Sequence, residues 1–356
     1  MNIAITADLH LTTQAEHPER YAALEDILKS MSAQKIGVLV IAGDLFDASR
    51  QNYAEFEAFC KRKEFSDIQF HVIPGNHDPS LAESRIVAPN LRIYSRPEAV
   101  RLDPDGPPFL FLPYEAGGSM GGVLAGVTSS LPQNNWILVA HGDWLEGLRD
   151  INLYENGFYM PLARKDINQF KPLKVFLGHN HGRMERDPVY YPGSPCGMDI
   201  TETGRRSFLV FDTRGVSVES ETIHNEVIYC NETITILPLD DEEAYLRQKA
   251  LSIIAGWKLN PEEKVKVRLR LKVNGYSTDR QSLLNILKDE FKEFSFHHNE
   301  EIEITSVSNS DDPERSVLAV AVQKKIMEQV WPGGEKDPSR DDILLAALGL
   351  IYGGKS

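Results

Sequence analysis

Five short apolar runs in the first half of the chain each end in a loop that carries a carboxylate, an amide or an imidazole. Ile3 to Ala7 leads into Asp8 and His10, Val38 to Ile41 into Gly43, Asp44 and Asp47, and Phe70 to Ile73 into Gly75, Asn76, His77 and Asp78. Ile137 to Ala140 leads into His141, and Val175 to Leu177 into Gly178, His179, Asn180 and His181. Runs this short and this continuous read as strands buried on both faces. A sixth run, Phe109 to Leu112, has the same character. Between the runs lie amphipathic helix patterns. Leu24, Ile27, Leu28 and Met31 recur at helical spacing within Pro18 to Gln34, and Tyr53, Phe56 and Cys60 repeat the pattern. Strands alternating with helices give an α/β (α+β) class, with helices covering a buried sheet. In such sheets the loops at the C-terminal strand ends converge on the ligand.

Five of the ten histidines fall in those loops, so the polar residues there form a set and not a scatter. Asp8, His10, Asp44, Asn76, His141, His179 and His181 offer carboxylate and amide oxygens and imidazole nitrogens, with no thiolate. That donor set suits a pair of divalent ions, manganese first, with iron or zinc as alternatives. Asp44 is the best placed to bridge them. Two ions a few Å apart can grip a phosphate, activate a water and stabilise an in-line displacement. Hydrolysis of a phosphoester is the chemistry expected.

The second half divides further. Ser207 to Asp212 and Val216 to Thr222 read as a hairpin. From about Thr233 the pattern changes to a small α+β module, with helices at Glu242 to Ala255 and Ser282 to Lys292 and strands at Lys264 to Val273 and Glu301 to Val307. Lys264, Lys266, Arg268, Arg270 and Lys272 alternate with apolar residues, which places five cations on one face. They are candidates for phosphate contacts, or for pairing with Glu301 and Glu303. Two helix candidates close the chain, one from Asp312-Pro313 to Gly333-Gly334 and one from Asp337-Pro338 to Gly353-Gly354. The expected domains are 1–238 (catalytic), 239–308 (cap) and 309–356 (helix-loop-helix tail).

Composition narrows the partners. Net charge of −14 excludes coating of nucleic acid by general electrostatics, so a polyanion must bind at a local site. Cys60, Cys196 and Cys230 are scattered and odd in number, which argues against a disulfide framework. No apolar run approaches a membrane span and no secretory leader is visible, so a cytoplasmic protein without a membrane partner is expected.

The ordered motifs Asp8-Leu9-His10, Gly43-Asp44-Leu45-Phe46-Asp47, Gly75-Asn76-His77-Asp78, His141 and Gly178-His179-Asn180-His181 resemble the calcineurin-like metallophosphoesterase superfamily. The resemblance implies a β-sandwich flanked by helices. It assigns one ion to Asp8, His10, Asp44 and His181 and the other to Asp44, Asn76, His141 and His179. It puts His77 over the scissile phosphate as the group that protonates the leaving oxygen, with Asp78 and Asp47 in support. Gly43 to Asp47 with Phe46, and Tyr191-Pro192-Gly193-Ser194-Pro195 followed by Glu202, make the chain look most like the SbcD-type DNA repair nucleases. That resemblance implies a DNA exonuclease and endonuclease with a cap that shapes the DNA path. It also implies a coiled-coil ATPase of the SbcC type held by the C-terminal tail. Phe158 and Tyr159 resemble a segment near the nucleotide, and Ser194, Lys266, Arg268 and Arg270 join them as candidate substrate contacts. Leu9 and Thr12 depart from the bacterial branch, which usually has Trp and Gly there. The competing reading is a phosphoesterase of small nucleotides or lipid-linked phosphodiesters, and a homodimer is a further expectation.

Overall fold

The computed structural model describes residues 1–82, 85–145, 158–239, 241–310, 312–330 and 337–353. Two compact units emerge: Met1–Met198 with Arg205–Glu226, and Asp199–Gly204 with Val227–Ser356.

The first unit contains, in order, β1 (Asn2–Thr6), α1 (Pro18–Gln34), β2 (Val38–Ala42), α2 (Tyr53–Cys60), β3 (Gln69–Ile73), β4 (Leu91–Ile93), β5 (Glu98–Val100), β6 (Phe109–Leu112), α3 (Met120–Val127), β7 (Ile137–His141), α4 (Arg164–Phe170), β8 (Lys174–Gly178), β9 (Met184–Arg186), β10 (Val189–Tyr191), β11 (Ser207–Asp212) and β12 (Ser217–Thr222). These strands make two six-stranded sheets, ordered β12-β11-β1-β2-β3-β4 and β5-β6-β7-β8-β10-β9. The site-bearing pairs β1/β2, β2/β3 and β7/β8 are parallel, so their C-terminal ends lie at one edge.

The side chains show why these strands are apolar throughout. Ile3, Ile5, Val40 and Ala42 from one sheet pack with Phe109, Phe111, Ile137, Val139 and Phe176 from the other, filling the space between the sheets. The alternate residues face outward. Ala4, Leu39 and Ile41 pack with Leu24, Ile27, Leu28 and Met31 of α1 and Phe56 of α2, and Leu110, Leu138, Val175 and Leu177 pack with Met120 and Leu124 of α3. Helices therefore cover both outer faces, as the α/β class requires.

The second unit contains β13 (Ile228–Ile236), α5 (Glu242–Gly256), α6 (Pro261–Lys264), β14 (Val267–Ser277), α7 (Arg280–Glu290), β15 (Ser295–Phe296), β16 (Glu303–Asn309), α8 (Pro313–Glu328) and α9 (Arg340–Tyr352). Its strands pair in parallel on β14, and α5 and α7 cover the face lined by Val267, Leu269, Leu271 and Val273. The unit's sheet begins at Ile228, ahead of the boundary at residue 238 read from the sequence, because β13 pairs with β14 from Ile228↔Val267 onward.

Two local expectations need correction. Lys264 and Lys266 are not on the face of β14. Pro261 and an Asn260–Glu263 capping box close a helical turn there, and β14 starts only at Val267. The last helix starts at Arg340 and not at Asp337-Pro338, because Ser339 and Asp342 form its capping box. Asp312 caps α8 as expected, accepting from the amides of Glu314 and Arg315. The expected punctuation at Gly333-Gly334 and Gly354 lies outside the described residues.

Candidate metal centre

Asp8, His10, Asp44, Asn76, His77, His141, His179 and His181 meet at the common strand edge, and several sit on backbone that few side chains adopt. Asp8, His10 and Asp44 have φ of 54°, 47° and 49°, and His179 has 95°. Left-handed backbone at non-glycine positions concentrates where a constellation is being held in place. Two glycines allow the close approach. A Cβ on Gly75 would lie 2.1 Å from Asp44 Oδ1, and one on Gly178 would lie 2.0 Å from the Ala42 carbonyl oxygen.

On one side His10 Nε2 and His181 Nε2 converge to 3.0 Å, and with Asp8 they place three ligand atoms within 4.8 Å of one another. On the other side Asn76 Oδ1 lies 2.8 Å from His141 Nε2 and 3.0 Å from His179 Nδ1. Asp44 Oδ2 stands between them, 3.7 Å from His10 Nε2 and 3.4 Å from His141 Nε2. Asp8, Asp44 and His141 also place ligand atoms within 4.8 Å of one another, as do His10, Asp44 and His77.

The electrostatics fit a cationic occupant. Asp8 Oδ2 is buried with no hydrogen-bond partner among the described residues, while its Oδ1 accepts from the His179 amide at 2.8 Å. Burial pushes the Asp8 carboxyl up to about 6, against the pull of His141 and His181. Burial acts on Asp44 in the same direction, yet His141, His10 and His77 outweigh it and hold that carboxyl well below the usual range. Burial, with His181 and His77, pushes the His10 imidazole down to about 3 despite Asp44. Burial opposes the charge on His141 too, but Asp44 and Asp8 raise it to about 9. Carboxylates and imidazoles so deeply buried at such separations are the arrangement a divalent ion relieves.

Supporting groups knit the loops together. Asp78 Oδ1 accepts from the Gly75 amide at 2.7 Å and Oδ2 from the Phe46 amide at 3.0 Å, which clamps the Asn76 loop to the Asp44 loop. Burial and the nearby Asp44 push the Asp78 carboxyl up to about 7. Asp47 accepts from the Ser49 amide and hydroxyl and lies 3.6 Å from the buried Arg20 guanidinium, which also donates to the His10 carbonyl. The His77 amide donates to Asp44 Oδ1 at 2.8 Å, and its ring stands edge-on to His10 with centroids 4.7 Å apart.

The remaining candidates divide. Ser194 is buried and its amide donates to the His181 carbonyl at 3.1 Å. The Tyr159 ring lies 4.8 Å from that of His179, whereas Phe158 is 69% exposed. Lys266, Arg268 and Arg270 belong to the second unit. There Arg270 is engaged bidentately by Glu300 at 2.7 and 2.8 Å, Lys272 lies 3.3 Å from Glu303, and Arg268 donates to the Val267 carbonyl at 3.1 Å.

Two residues at the edge are missing from the sequence reading. Tyr114, two residues past β6, sets its ring 6.3 Å from that of His141 and 6.2 Å from that of Tyr159. Asp143 lies 3.7 Å from His179 Nε2. The signal for Tyr114 was available, since β6 is parallel to β7 and ends at the same edge.

Residues 1–211 match the calcineurin-like phosphoesterase family. The chain belongs to that family. It is therefore a metal-dependent hydrolase of phosphoester bonds, and side chains that could hold a metal ion are grouped at the strand edge described above. No curated protein gives a significant match. Among solved structures the chain is similar to one described as a novel archaeal phosphodiesterase, with 17% identity, 63% of this chain and all of that chain covered, and a TM-score of 0.35. No described helix is long and apolar enough to cross a membrane.

Proposed function

We propose that this phosphoesterase is a two-metal phosphodiesterase that hydrolyses DNA in the manner of the SbcD-type repair nucleases. The observation that carries the two-metal part is the position of Asp44 Oδ2 between the His10/His181 side and the Asn76/His141 side of the cluster. Asp8, His10, Asp44 and His181 would hold one ion, and Asp44, Asn76, His141 and His179 the other. Bound ions would supply Lewis acidity and an activated water, with manganese the expected metal. His77 donates the proton to the leaving oxygen, and its loop is positioned by the amide bond to Asp44 and by Gln51, whose amide nitrogen donates to the His77 carbonyl at 3.3 Å. Asp78 keeps the two loops in register, and Arg20 with Asp47 steadies the His10 backbone.

Support for a DNA substrate comes from Tyr191-Pro192-Gly193-Ser194-Pro195, which is tied to the site through Ser194 and the His181 carbonyl. The tail is proposed as the docking element for an SbcC-type ATPase. One face of α8 and α9 packs within its own unit through Ala319, Leu344, Leu348 and Leu237, while Val317, Leu318, Val330 and Leu350 stay exposed. A small nucleotide or lipid-linked diester is the second reading. The acid partners of Arg270 and Lys272 favour it, because they reduce the positive charge a duplex would meet.

The deciding experiment compares linear duplex DNA with a small phosphodiester, both with manganese. The proposal expects processive loss of the duplex. Turnover of the small diester with an intact duplex would replace it by the second reading. Deleting residues 311–356 should leave metal-dependent hydrolysis intact and abolish co-purification with the ATPase.

A further inference from the structure

Asp143 is a buried carboxylate two residues past His141, and its contacts join two parts of the centre. Oδ2 accepts a hydrogen bond from the Tyr159 amide at 2.7 Å. The Asp143 amide donates to the Tyr159 carbonyl at 2.8 Å, and the Asp143 carbonyl accepts from the Leu162 amide at 2.8 Å. Oδ1 lies 3.7 Å from His179 Nε2, on the opposite side of that ring from Nδ1, which is 3.0 Å from Asn76 Oδ1. The approach of the two backbones depends on Gly142, at φ 148°, where a Cβ would lie 2.4 Å from the Tyr159 carbonyl oxygen.

We infer that Asp143 is a positioning residue for the ion held by Asn76, His141 and His179, a role that rests on the two-metal reading above. The His179 ring is placed between two features of opposite purpose. Its Nδ1 turns toward the ligand cluster, and its Nε2 faces the Asp143 carboxylate. A carboxylate facing the far nitrogen of a ligating imidazole favours the tautomer with the proton on that side and strengthens the donor on the other. The same carboxylate seats Tyr159, whose ring packs against His179 with centroids 4.8 Å apart. Asp143 thus fixes the ring by charge on one edge and by an aromatic neighbour on its face, without touching the substrate or the ion.

Asp143→Asn separates this role from a merely structural one. The amide oxygen can still accept from the Tyr159 amide, but the charge facing His179 is gone. Manganese titration of the full chain by calorimetry should show two binding events in the wild type, and His179→Ala should remove one of them. Asp143→Asn should weaken that same event by ~10- to 100-fold, leave the other within about threefold, and keep the thermal midpoint close to that of the wild type. Wild-type affinity at both events in Asp143→Asn would overturn the positioning role and leave the two-metal reading standing. So would weakening of the event that His10→Ala removes, or loss of the cooperative unfolding transition in Asp143→Asn. Uptake of fewer than two ions by the wild type would overturn the two-metal reading, and this inference with it.

Discussion

A methyl group at residue 178 is a sharp test of how closely the two sheets meet beside the site. The Cβ of Gly178→Ala would fall 2.0 Å from the Ala42 carbonyl oxygen, 2.7 Å from His141 Nδ1 and 3.0 Å from Ala7 Cβ. Restoring an ordinary contact of about 3.4 Å to Ala42 requires a separation of roughly 1.4 Å between the ends of β8 and β2, where the packing leaves little room to yield. The Ala42 carbonyl also bonds His141 Nδ1 at 2.9 Å, so the displacement moves His141 along with His179, the next residue. Overpacking of this kind costs ~1–3 kcal/mol, or about 5 °C in thermal midpoint for a unit of this size. A misplacement of ~1 Å at reacting groups costs ~10²-fold in rate. The assay is hydrolysis of a chromogenic phosphodiester with manganese, run beside thermal unfolding by circular dichroism. Gly126→Ala is the control, since Gly126 is exposed in α3 with nothing within 4 Å of an added Cβ, and it should gain ~0.5–1 kcal/mol. Wild-type turnover and midpoint in Gly178→Ala would show that the ends of β8 and β2 can part without disturbing the site.

Three further outcomes follow from other parts of the first unit. His77→Ser should keep both ions by metal analysis and lose ~10²- to 10⁴-fold in turnover, and undiminished turnover would remove His77 from the mechanism. Asn90 is buried, and its side-chain amide donates to the carbonyls of Cys60 and Ile68 at 3.0 Å, so Asn90→Ala should cost ~1–3 kcal/mol in urea unfolding with activity per folded molecule unchanged. His71 packs beside the stacked pair Tyr94 and Phe111, where burial and then Arg92 push its imidazole down to about 4 from 6.5. Above pH 6.5 it is neutral in folded and unfolded chains alike. As pH falls toward 4 the unfolded chain takes the proton first, so stability falls by up to about 3 kcal/mol and then levels off. The stability difference between wild type and His71→Phe should therefore change across that window, and parallel pH curves would contradict it.

How much of this could be read in the sequence depends on the kind of signal each part leaves. The strands were legible because both sheets are covered on both faces, which turns β2, β6, β7 and β8 into unbroken apolar runs. Once those runs are strands, Asp8, Asp44, Asn76, His141 and His179 fall at their C-terminal ends by counting alone. Asp143 left no such mark. An Asp after His-Gly is an ordinary turn residue, and its use depends on Tyr159 and His179, which the fold brings to it from elsewhere in the chain. The parallel pairing of the second unit was hidden for a similar reason. Its β14 alternates cleanly, Val267 inward and Arg268 outward, and alternation reports one covered face without reporting strand direction. Lys266 was misplaced because the alternation runs on through residues that the Asn260–Glu263 cap folds into a turn.

In the proposed two-metal centre one carboxylate, Asp44, serves both ions. Metal content of purified wild-type and Asp44→Ala proteins, measured by plasma emission spectroscopy after equilibration with manganese and desalting, tests it most directly. Asp44 Oδ2 is 3.7 Å from His10 Nε2 and 3.4 Å from His141 Nε2, so its removal should cost both sites a ligand. The expected result is close to two ions per wild-type chain, close to none per folded Asp44→Ala chain, and no phosphodiester hydrolysis by the variant. One ion fully retained in Asp44→Ala would contradict the bridge.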